Sequence, residues 1–516
     1  MTSEFSKRSI QRRGKYKKKI DPSENRMKRQ EFVVKLSKSK REQEFMKRRN
    51  FTEITIKKKD KNEKKLEQLP SFVEMVRSTD IRTAYRGLVK IRKLLSVEQN
   101  PPIQQVIDTQ ILPLIITFLD SNNEDFQFES CWILTNIASG SNDQTQFLVS
   151  LNVIDPLLQL LISPKDNIRE QAIWALGNIA GDNINNRDQI LNKGIIDYII
   201  DLIKRAKNIE VIRNCTWCYA NLCRGKPNPN FEIVMPMLPI IAPFITCNSE
   251  EVIADICWAI SYLTDATQKE IQTILDLDIH QHFIPLLLNP NPKISTPALR
   301  IVGNIVTGSD EQTQAIIECN AIQYLGKLLN SSRFSIRKEA CWAISNIAAG
   351  NYPQAKEVVD SGVLPQIINL CDQDQYDVKK ETTWIISNII YIGGDEEMEN
   401  LINIGCIPPL CNILDYDDTK ILSISLEALE KLLKFGEKKS SQTGENYNLV
   451  ALLIEQANGA SKIDRLQRHP NEDIYLVASY IIHNYFAEQD NLDEVVDPNL
   501  ENQDVQDREI KNYYDL

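Results

Sequence analysis

The stretch that decides the fold is EQAIWALGNIAGD, residues 170–182, because its centre returns as ESCWILTNIA at 129–138, EACWAISNIA at 339–348 and ETTWIISNII at 381–390. Each copy sets a tryptophan four residues ahead of an asparagine: Trp132 and Asn136, Trp174 and Asn178, Trp342 and Asn346, Trp384 and Asn388. Looser copies carry Trp217 with Asn221, Trp258 with Tyr262, and Arg300 with Asn304. These are all six tryptophans of the 516-residue chain, spaced 42, 43, 41, 84 and 42 residues apart, and Arg300 falls in the middle of the double interval. One period therefore governs the central part of the molecule.

The close copies contain no internal proline and carry apolar residues at helical spacing. Turn signals such as SGSND, GDN and GSDEQ follow them, then a second apolar segment such as VIDPLLQLLIS or VLPQIINLC. Each unit reads as helix, turn, helix, and a period of about 40 to 47 residues built that way is the armadillo or HEAT class. Units without the signature are visible near 72–96, 406–436 and 447–487, the last after a polar insertion, EKKSSQTGEN, at 437–446. The expected fold is all-α: an armadillo-repeat, right-handed superhelical solenoid of about ten repeats over 70–487, with a basic N-terminal arm.

Composition agrees. With 42% hydrophobic and 25% charged residues the chain can bury a large core, which excludes global disorder and a disulfide scaffold. No apolar run is long enough to span a membrane, and no secretory signal opens the sequence, so the chain is expected in cytosol or nucleus. Eleven cysteines without a regular framework read as reduced core thiols. The one CxxC pair, Cys215 and Cys218, lacks a second pair or a nearby histidine, so no metal or other cofactor is expected.

A helical wheel assigns the faces. At about 100° per residue, the tryptophan shares its side with the asparagine at +4 and with the residue at −3, while +2 and +5 lie opposite. Positions +2 and +5 hold Leu134/Ile137, Leu176/Ile179, Tyr219/Leu222, Ile260/Leu263, Val302/Ile305, Ile344/Ile347 and Ile386/Ile389. That stripe is the expected core. Position −3 holds Glu129, Gln171, Asn214, Asp255, Pro297, Glu339 and Glu381, mostly amides and carboxylates and poor core material. The tryptophan face is therefore expected to be an exposed ladder; the competing reading is packing between repeats.

Stacked helices lie about 8 to 10 Å apart, so neighbouring indoles form walls between which an aliphatic stem fits. An extended peptide advances about 3.3 to 3.6 Å per residue, so one repeat matches two to three residues. Lysine and arginine suit such slots: stems on indole faces, cationic heads near carboxylates. Asparagine offers a donor and an acceptor together, which lets it hold a peptide backbone extended. The inferred ligand is a short, extended, basic peptide, with a longer site from Trp132 to Asn221 and a shorter one from Trp342 to Asn388. Between them lie Asp255, Trp258, Tyr262 and Arg300.

These residues carry a family resemblance. ESCWILTNIASGSNDQT, EQAIWALGNIAGD, CTWCYANLCRGK, DICWAISYLTDA, PALRIVGNIVTGSDEQTQ and EACWAISNIAAG resemble the successive armadillo repeats of importin alpha (karyopherin alpha), the nuclear import adaptors. FMKRRN near the N-terminus and ALLIEQANGASKIDRLQ near the C-terminus match as well, so the resemblance spans nearly the whole chain. It implies a major site for nuclear localisation signals at Trp132, Asn136, Gln171, Trp174, Asn178, Trp217 and Asn221, with a lysine pocket of the Gly140 carbonyl, Thr145 and Asp182. It implies a minor site at Asn304, Thr313, Glu339, Trp342, Asn346, Glu381, Trp384 and Asn388. From spacing alone, Gly140 and Thr145 read equally as a helix C-cap and the following N-cap, and Asp182 could cap a helix. Cys218 and Tyr219 after Trp217 depart from the usual family pattern.

Charge is divided between the ends. Residues 1–69 hold 24 Lys and Arg against 10 Asp and Glu; the remainder holds 36 against 60. Alone, the arm has too little apolar surface to fold, but NRMKRQEFVVKLSKSKREQEFMKRR, residues 25–49, suits a basic helix ordered by an acidic partner. The resemblance makes residues 1–69 an importin-beta-binding and autoinhibitory segment, with Arg12, Arg13, Lys28, Arg29, Lys47, Arg48 and Arg49 as its cationic positions. Lys47–Arg49 itself resembles a localisation signal. The acidic end, 488–516, is expected to be a flexible tail, and the last repeat to dock an export factor. Expected partners are thus signal-bearing cargo, importin beta and that export factor, in a chain shuttling between cytoplasm and nucleus. Direct nucleic-acid binding is disfavoured by the acidic body, membrane insertion by the missing apolar run, and enzymatic activity by the lack of any catalytic motif.

Overall fold

The computed structural model describes residues 47–48, 66–97 and 100–486. The chain divides into two compact units, Met1–Leu410 and Cys411–Leu516. In the first, α1 (Ile81–Leu95) precedes the seven helices that carry the signature positions: α2 (Glu124–Ala138), α3 (Asp166–Asp182), α4 (Ile209–Cys223), α5 (Glu250–Thr264), α6 (Pro292–Ile305), α7 (Phe334–Ala348) and α8 (Tyr376–Ile392). Two shorter helical segments lie between most consecutive members, as in Asn142–Ser150 and Ile154–Leu160 between α2 and α3. Each of α1 to α7 packs on the next in sequence, so the row is continuous within the unit.

Local chemistry sets the punctuation. The segment after α2 starts with a reciprocal box in which Ser141 and Gln144 satisfy each other's backbone N–H groups, and the same box recurs at Ser309/Gln312 and Asn351/Gln354. A second mark returns in most repeats, missing only between Gly194 and Asp278: a left-handed residue at Gln110, Asn152, Gly194, Asp278, Asn320, Gly362 and Gly405. Glycine and the short amide and acid side chains tolerate that conformation best, and it turns the chain between the two short helices.

The apolar stripe forms the core as the wheel requires. Both residues of every +2/+5 pair are buried, the least so Leu263 at 3% exposed. Cys215, Cys218 and Tyr219 lie in that core, where the Tyr219 hydroxyl donates to the Val234 carbonyl at 2.9 Å. The family departure at Cys218 and Tyr219 therefore falls on the face away from the tryptophans.

The opposite face differs from expectation. Asn136, Asn178, Asn221, Asn304, Asn346 and Asn388 are all buried, and the indole of Trp217 is only 1% exposed, whereas the other five tryptophans are half-buried. Stacking contributes to it throughout, and at Trp217 and Asn178 Arg48 adds its own cover. Asn178 Nδ2 donates to the Thr135 carbonyl at 3.0 Å, Asn221 to Gly177 at 3.0 Å, Asn304 to Ser261 at 3.0 Å and Asn388 to Ser345 at 3.1 Å, each reaching the preceding repeat. A buried amide is tolerated because the neighbour supplies its partner. The indoles lie on that neighbour too: a Cβ at Gly177 would strike Trp217, and one at Gly303 would strike Trp342. The residue at +3 is small in every repeat (Thr135, Gly177, Ala220, Ser261, Gly303, Ser345, Ser387), which gives each following side chain a floor. The row is thus ladder and inter-repeat packing at once.

In the second unit, the long helix α9 (Thr419–Thr443) is followed by Leu449–Gln456, Gly459–Leu466 and α10 (Glu472–Tyr485) around Leu429, Leu433, Ile454, Ile463, Ala478 and Ile481. Most of the polar insertion is an extension of α9 rather than a loop, because Glu, Lys and Gln are good helix formers and only Gly444, at φ 75°, ends it. No described helix is long and apolar enough to cross a membrane.

Candidate functional site

The row of half-buried indoles is not empty. Residues Lys47 and Arg48, which are not helical, lie across α2 to α5. Arg12, Arg13, Lys28, Arg29 and Arg49, like the helix expected over most of 25–49, lie outside the described residues, as does the C-terminal tail.

The Lys47 ammonium meets three oxygens: the Gly140 carbonyl at 2.9 Å, Thr145 Oγ1 at 2.9 Å and Asp182 Oδ1 at 2.5 Å. Thr145 Oγ1 lies 3.0 Å from the Ser141 carbonyl; donating there leaves it free to accept from lysine. Three acceptors for three N–H groups satisfy a tetrahedral cation. The Asp182 side chain is only 3% exposed. Burial lowers the Lys47 pKa, and the hydrogen bond and charge of Asp182 oppose that shift. Neither alternative capping role holds for Thr145 and Asp182: the N-cap after Gly140 is Ser141, and Asp182 is the last residue of α3, with Asn183 capping the next helix.

Arg48 is held by backbone and side chain. Its N–H donates to Asn178 Oδ1 at 2.8 Å, and its carbonyl accepts from Asn178 Nδ2 at 2.9 Å and Trp174 Nε1 at 2.7 Å. Its guanidinium lies 4.9 Å from the centre of the Trp217 ring and donates to both oxygens of Asp255, at 3.3 and 3.2 Å. Asn178 thus serves two masters, tying α3 to α2 through one amide hydrogen while gripping the Arg48 backbone with the rest. Burial pushes the Asp255 carboxyl up to about 7, with Arg48 and Arg213 pulling it down and Glu251 pushing it up.

The same combination, a guanidinium over an indole and against a −3 carboxylate, occurs within the repeats. Arg92 lies 4.2 Å from the Trp132 ring centre and donates to Glu129 at 2.5 Å, while Asn136 donates to Ser96 Oγ at 3.1 Å. Arg92 and Ser96 precede Trp132 and Asn136 by 40 residues, so they occupy the ladder positions of an earlier repeat; lacking Trp and Asn, they escape a search for the signature. At the other end Trp258 stacks on Tyr262 with centroids 5.7 Å apart, Arg300 lies 5.4 Å from the Trp258 ring, and its Nη2 is 3.7 Å from Glu339. Gln171 is buried in the same row, and its Oε1 has no hydrogen-bond partner among the described residues.

Farther along, α6 to α8 bring Asn304, Glu339, Trp342, Asn346, Glu381, Trp384 and Asn388 into one continuing row, with Thr313 buried just after α6 and donating to the Ser309 carbonyl at 2.9 Å. Asn346 Nδ2 donates to its own helix, at Trp342 O, 3.0 Å. Glu339 and Glu381 are half-buried. Among the described residues no group of three or more His, Cys, Asp or Glu side chains could hold a metal ion. The chemistry available is that of gripping an extended, cationic chain.

Known proteins resemble the chain over most of its length. The model of the importin beta binding domain matches residues 12–89, that of the armadillo/beta-catenin-like repeat matches 99–139, 141–181, 309–349 and 351–391, and that of the atypical Arm repeat matches 448–499. The chain is 50% identical to importin subunit alpha-B of Dictyostelium discoideum, over 93% of each chain. It is 38% identical to importin subunit alpha-3 of Arabidopsis thaliana, over 95% of this chain and 94% of that one. A crystal structure of an engineered protein shares the fold, with a TM-score of 0.72 at 22% identity over 81% of this chain and 98% of its own.

Proposed function

This chain belongs to the importin alpha family, and we propose that its row of indoles, amides and carboxylates is where it carries out that family's work as nuclear import adaptors. It binds lysine- and arginine-rich localisation signals of cargo proteins through the armadillo repeats and links them to importin beta through its N-terminal segment. It is not an enzyme. One observation supports the assignment of the groove: Lys47 and Arg48 are gripped there by Gly140, Thr145, Asp182, Trp174, Asn178, Trp217 and Asp255. A cargo signal of the same chemistry would take the same contacts, and the row from Asn304 to Asn388 would take a second basic cluster.

The division of labour follows. Residues 1–69 act as importin-beta-binding and autoinhibitory segment, 70–487 as the cargo-binding body, and 488–516 as an acidic tail. The export factor docks on the last repeat, where Leu449, Leu452, Tyr475 and Leu476 are exposed, and the chain shuttles between cytoplasm and nucleus. The direct test is fluorescence polarisation of the full-length chain carrying Lys47→Ala, Arg48→Ala and Arg49→Ala, at 0.15 M salt, a Debye length of about 8 Å. A short lysine- and arginine-rich peptide should bind saturably and an acidic peptide of equal length should not. Equal binding of the two would overturn the assignment.

Asp255 gives the groove a pH dependence. With Arg48 in place its carboxyl stands near 7, raised by burial and pulled down by that guanidinium, which therefore favours the ionised form. Arginine binding is accordingly coupled to the carboxylate, and affinity is expected to rise with pH through about 7, by at most about tenfold per pH unit. An arginine-bearing peptide should accordingly bind the same triple variant several-fold more tightly at pH 8 than at pH 6. Adding Asp255→Asn should flatten the profile; an unchanged slope would assign the titration elsewhere.

A further inference from the structure

The lysine pocket is completed by two side chains that stand behind Asp182. While Asp182 Oδ1 faces Lys47, its Oδ2 accepts from Asn142 Nδ2 at 2.8 Å and from Asn183 Nδ2 at 2.9 Å. Both amides spring from helix starts, Asn142 from an exposed position and Asn183 from a half-buried one. Asn183 caps the helix Ile184–Asn192, its Oδ1 accepting the Asn186 N–H at 2.9 Å, and Asn142 is the first residue of the helix Asn142–Ser150, directly after the Ser141 cap. One donor comes from the preceding repeat and one from the residue next to Asp182, so the carboxylate plane is fixed from two sides.

That fixing decides which cation fits. An ammonium satisfies its three N–H groups on three separate acceptors, here one carboxylate oxygen, one carbonyl and one hydroxyl. A guanidinium is a planar fork that gains most by taking both oxygens of a carboxylate side by side, and at Asp255, where both oxygens are open to the ligand, a single Arg48 nitrogen, Nη2, already reaches both, at 3.3 and 3.2 Å. At Asp182 the second oxygen is already committed. We propose that Asn142 and Asn183 are positioning residues that make this pocket select lysine over arginine, by withholding Asp182 Oδ2 from the ligand. The inference rests on the peptide-binding reading of the groove, and it concerns only which side chain the pocket prefers.

The test uses the full-length chain with Lys47→Ala and Arg48→Ala, and two peptides of the chain's own residues 44–54, one unaltered and one with Lys47→Arg. The unaltered peptide should bind at least about tenfold more tightly, the discrimination of one well-placed charged hydrogen bond. Asn142→Ala should shrink that ratio about threefold, as should Asn183→Ser, whose hydroxyl preserves the helix cap. The two together should bring it close to one, through weaker lysine binding with arginine binding held or improved. A merely structural role would weaken both peptides alike, so an unchanged ratio in the double variant overturns the inference while leaving the groove assignment intact. Failure of the parent chain to bind either peptide would overturn both.

Discussion

Asp182→Lys is expected to abolish binding of a lysine-led basic peptide, by at least about a hundredfold. The Asp182 carboxylate is almost wholly buried beside the ammonium it holds. Replacing it sets a second cation in the pocket and leaves the incoming lysine only the Gly140 carbonyl and the Thr145 hydroxyl. Removing one partner of a buried, hydrogen-bonded charge pair costs about 2 to 5 kcal/mol, or roughly 30-fold to several thousandfold in affinity. Like-charge repulsion adds to that. Asp182→Asn, which keeps size and one acceptor oxygen, should fall between the two. The measurement is a peptide titration in the Lys47→Ala, Arg48→Ala, Arg49→Ala background, so that no tethered lysine competes, at low salt and at 0.15 M salt, where screening of exposed charges differs but that of this buried pair changes little; unchanged affinity at low salt would remove Asp182 from the site. Thermal unfolding of the same samples separates lost binding from lost structure, since Oδ2 also anchors Asn142 and Asn183.

The parts of the molecule differ in how openly the sequence declares them. The tryptophan period and the +2/+5 stripe are legible because a helix that buries one face repeats that face in its residues, and every stripe pair is indeed core. What a single-helix wheel cannot show is the stacking of one repeat on the next. Asn178, Asn221, Asn304 and Asn388 look like solvent-facing amides until the preceding helix supplies a carbonyl, and Trp217 looks exposed until Gly177 is placed beneath it. The signal is present at the +3 position, small in all seven repeats, but it acquires meaning only with a neighbour in place. The left-handed turn positions, mostly 42 residues apart, are a second periodic mark written in Asn, Asp, Gly and Gln rather than in one residue type.

The candidate site divides in the same way. The indole and amide row follows from the period, whereas Gly140, Thr145 and Asp182 are ordinary turn and helix-end residues by spacing and stand out only through the family resemblance. Arg92, Ser96, Asn142 and Asn183 carry no motif. Their contribution lies in contacts across about 40 residues of sequence, Arg92 on Trp132 and Glu129, and Asn142 on Asp182, which no local pattern encodes.

The occupied groove leads to the second large effect. Lys47 and Arg48 belong to the same chain as the acidic groove that holds them, so a cargo signal would have to compete with a tethered rival. A flexible tether supplies an effective concentration on the order of 1 mM. A segment with an intrinsic Kd of only about 10 μM would then be bound roughly 99% of the time and would lower apparent cargo affinity about 100-fold. Importin beta, by engaging the segment, would empty the groove and so couple cargo loading to the carrier. Lys47→Ala, Arg48→Ala and Arg49→Ala together in the full chain should therefore tighten binding of a simple basic signal by at least about tenfold, through the lost competition alone. A truncation should reproduce the gain if it is cut before Leu69, which is buried and opens the helix Leu69–Val76. The gain should come as faster association, because cargo no longer waits for the segment to leave, with cargo dissociation unchanged. Equal affinities for the parent, the triple variant and the truncation at 0.15 M salt, where the Debye length is about 8 Å, would show that the tethered segment does not compete, and Lys47 and Arg48 would then mark the groove without regulating it.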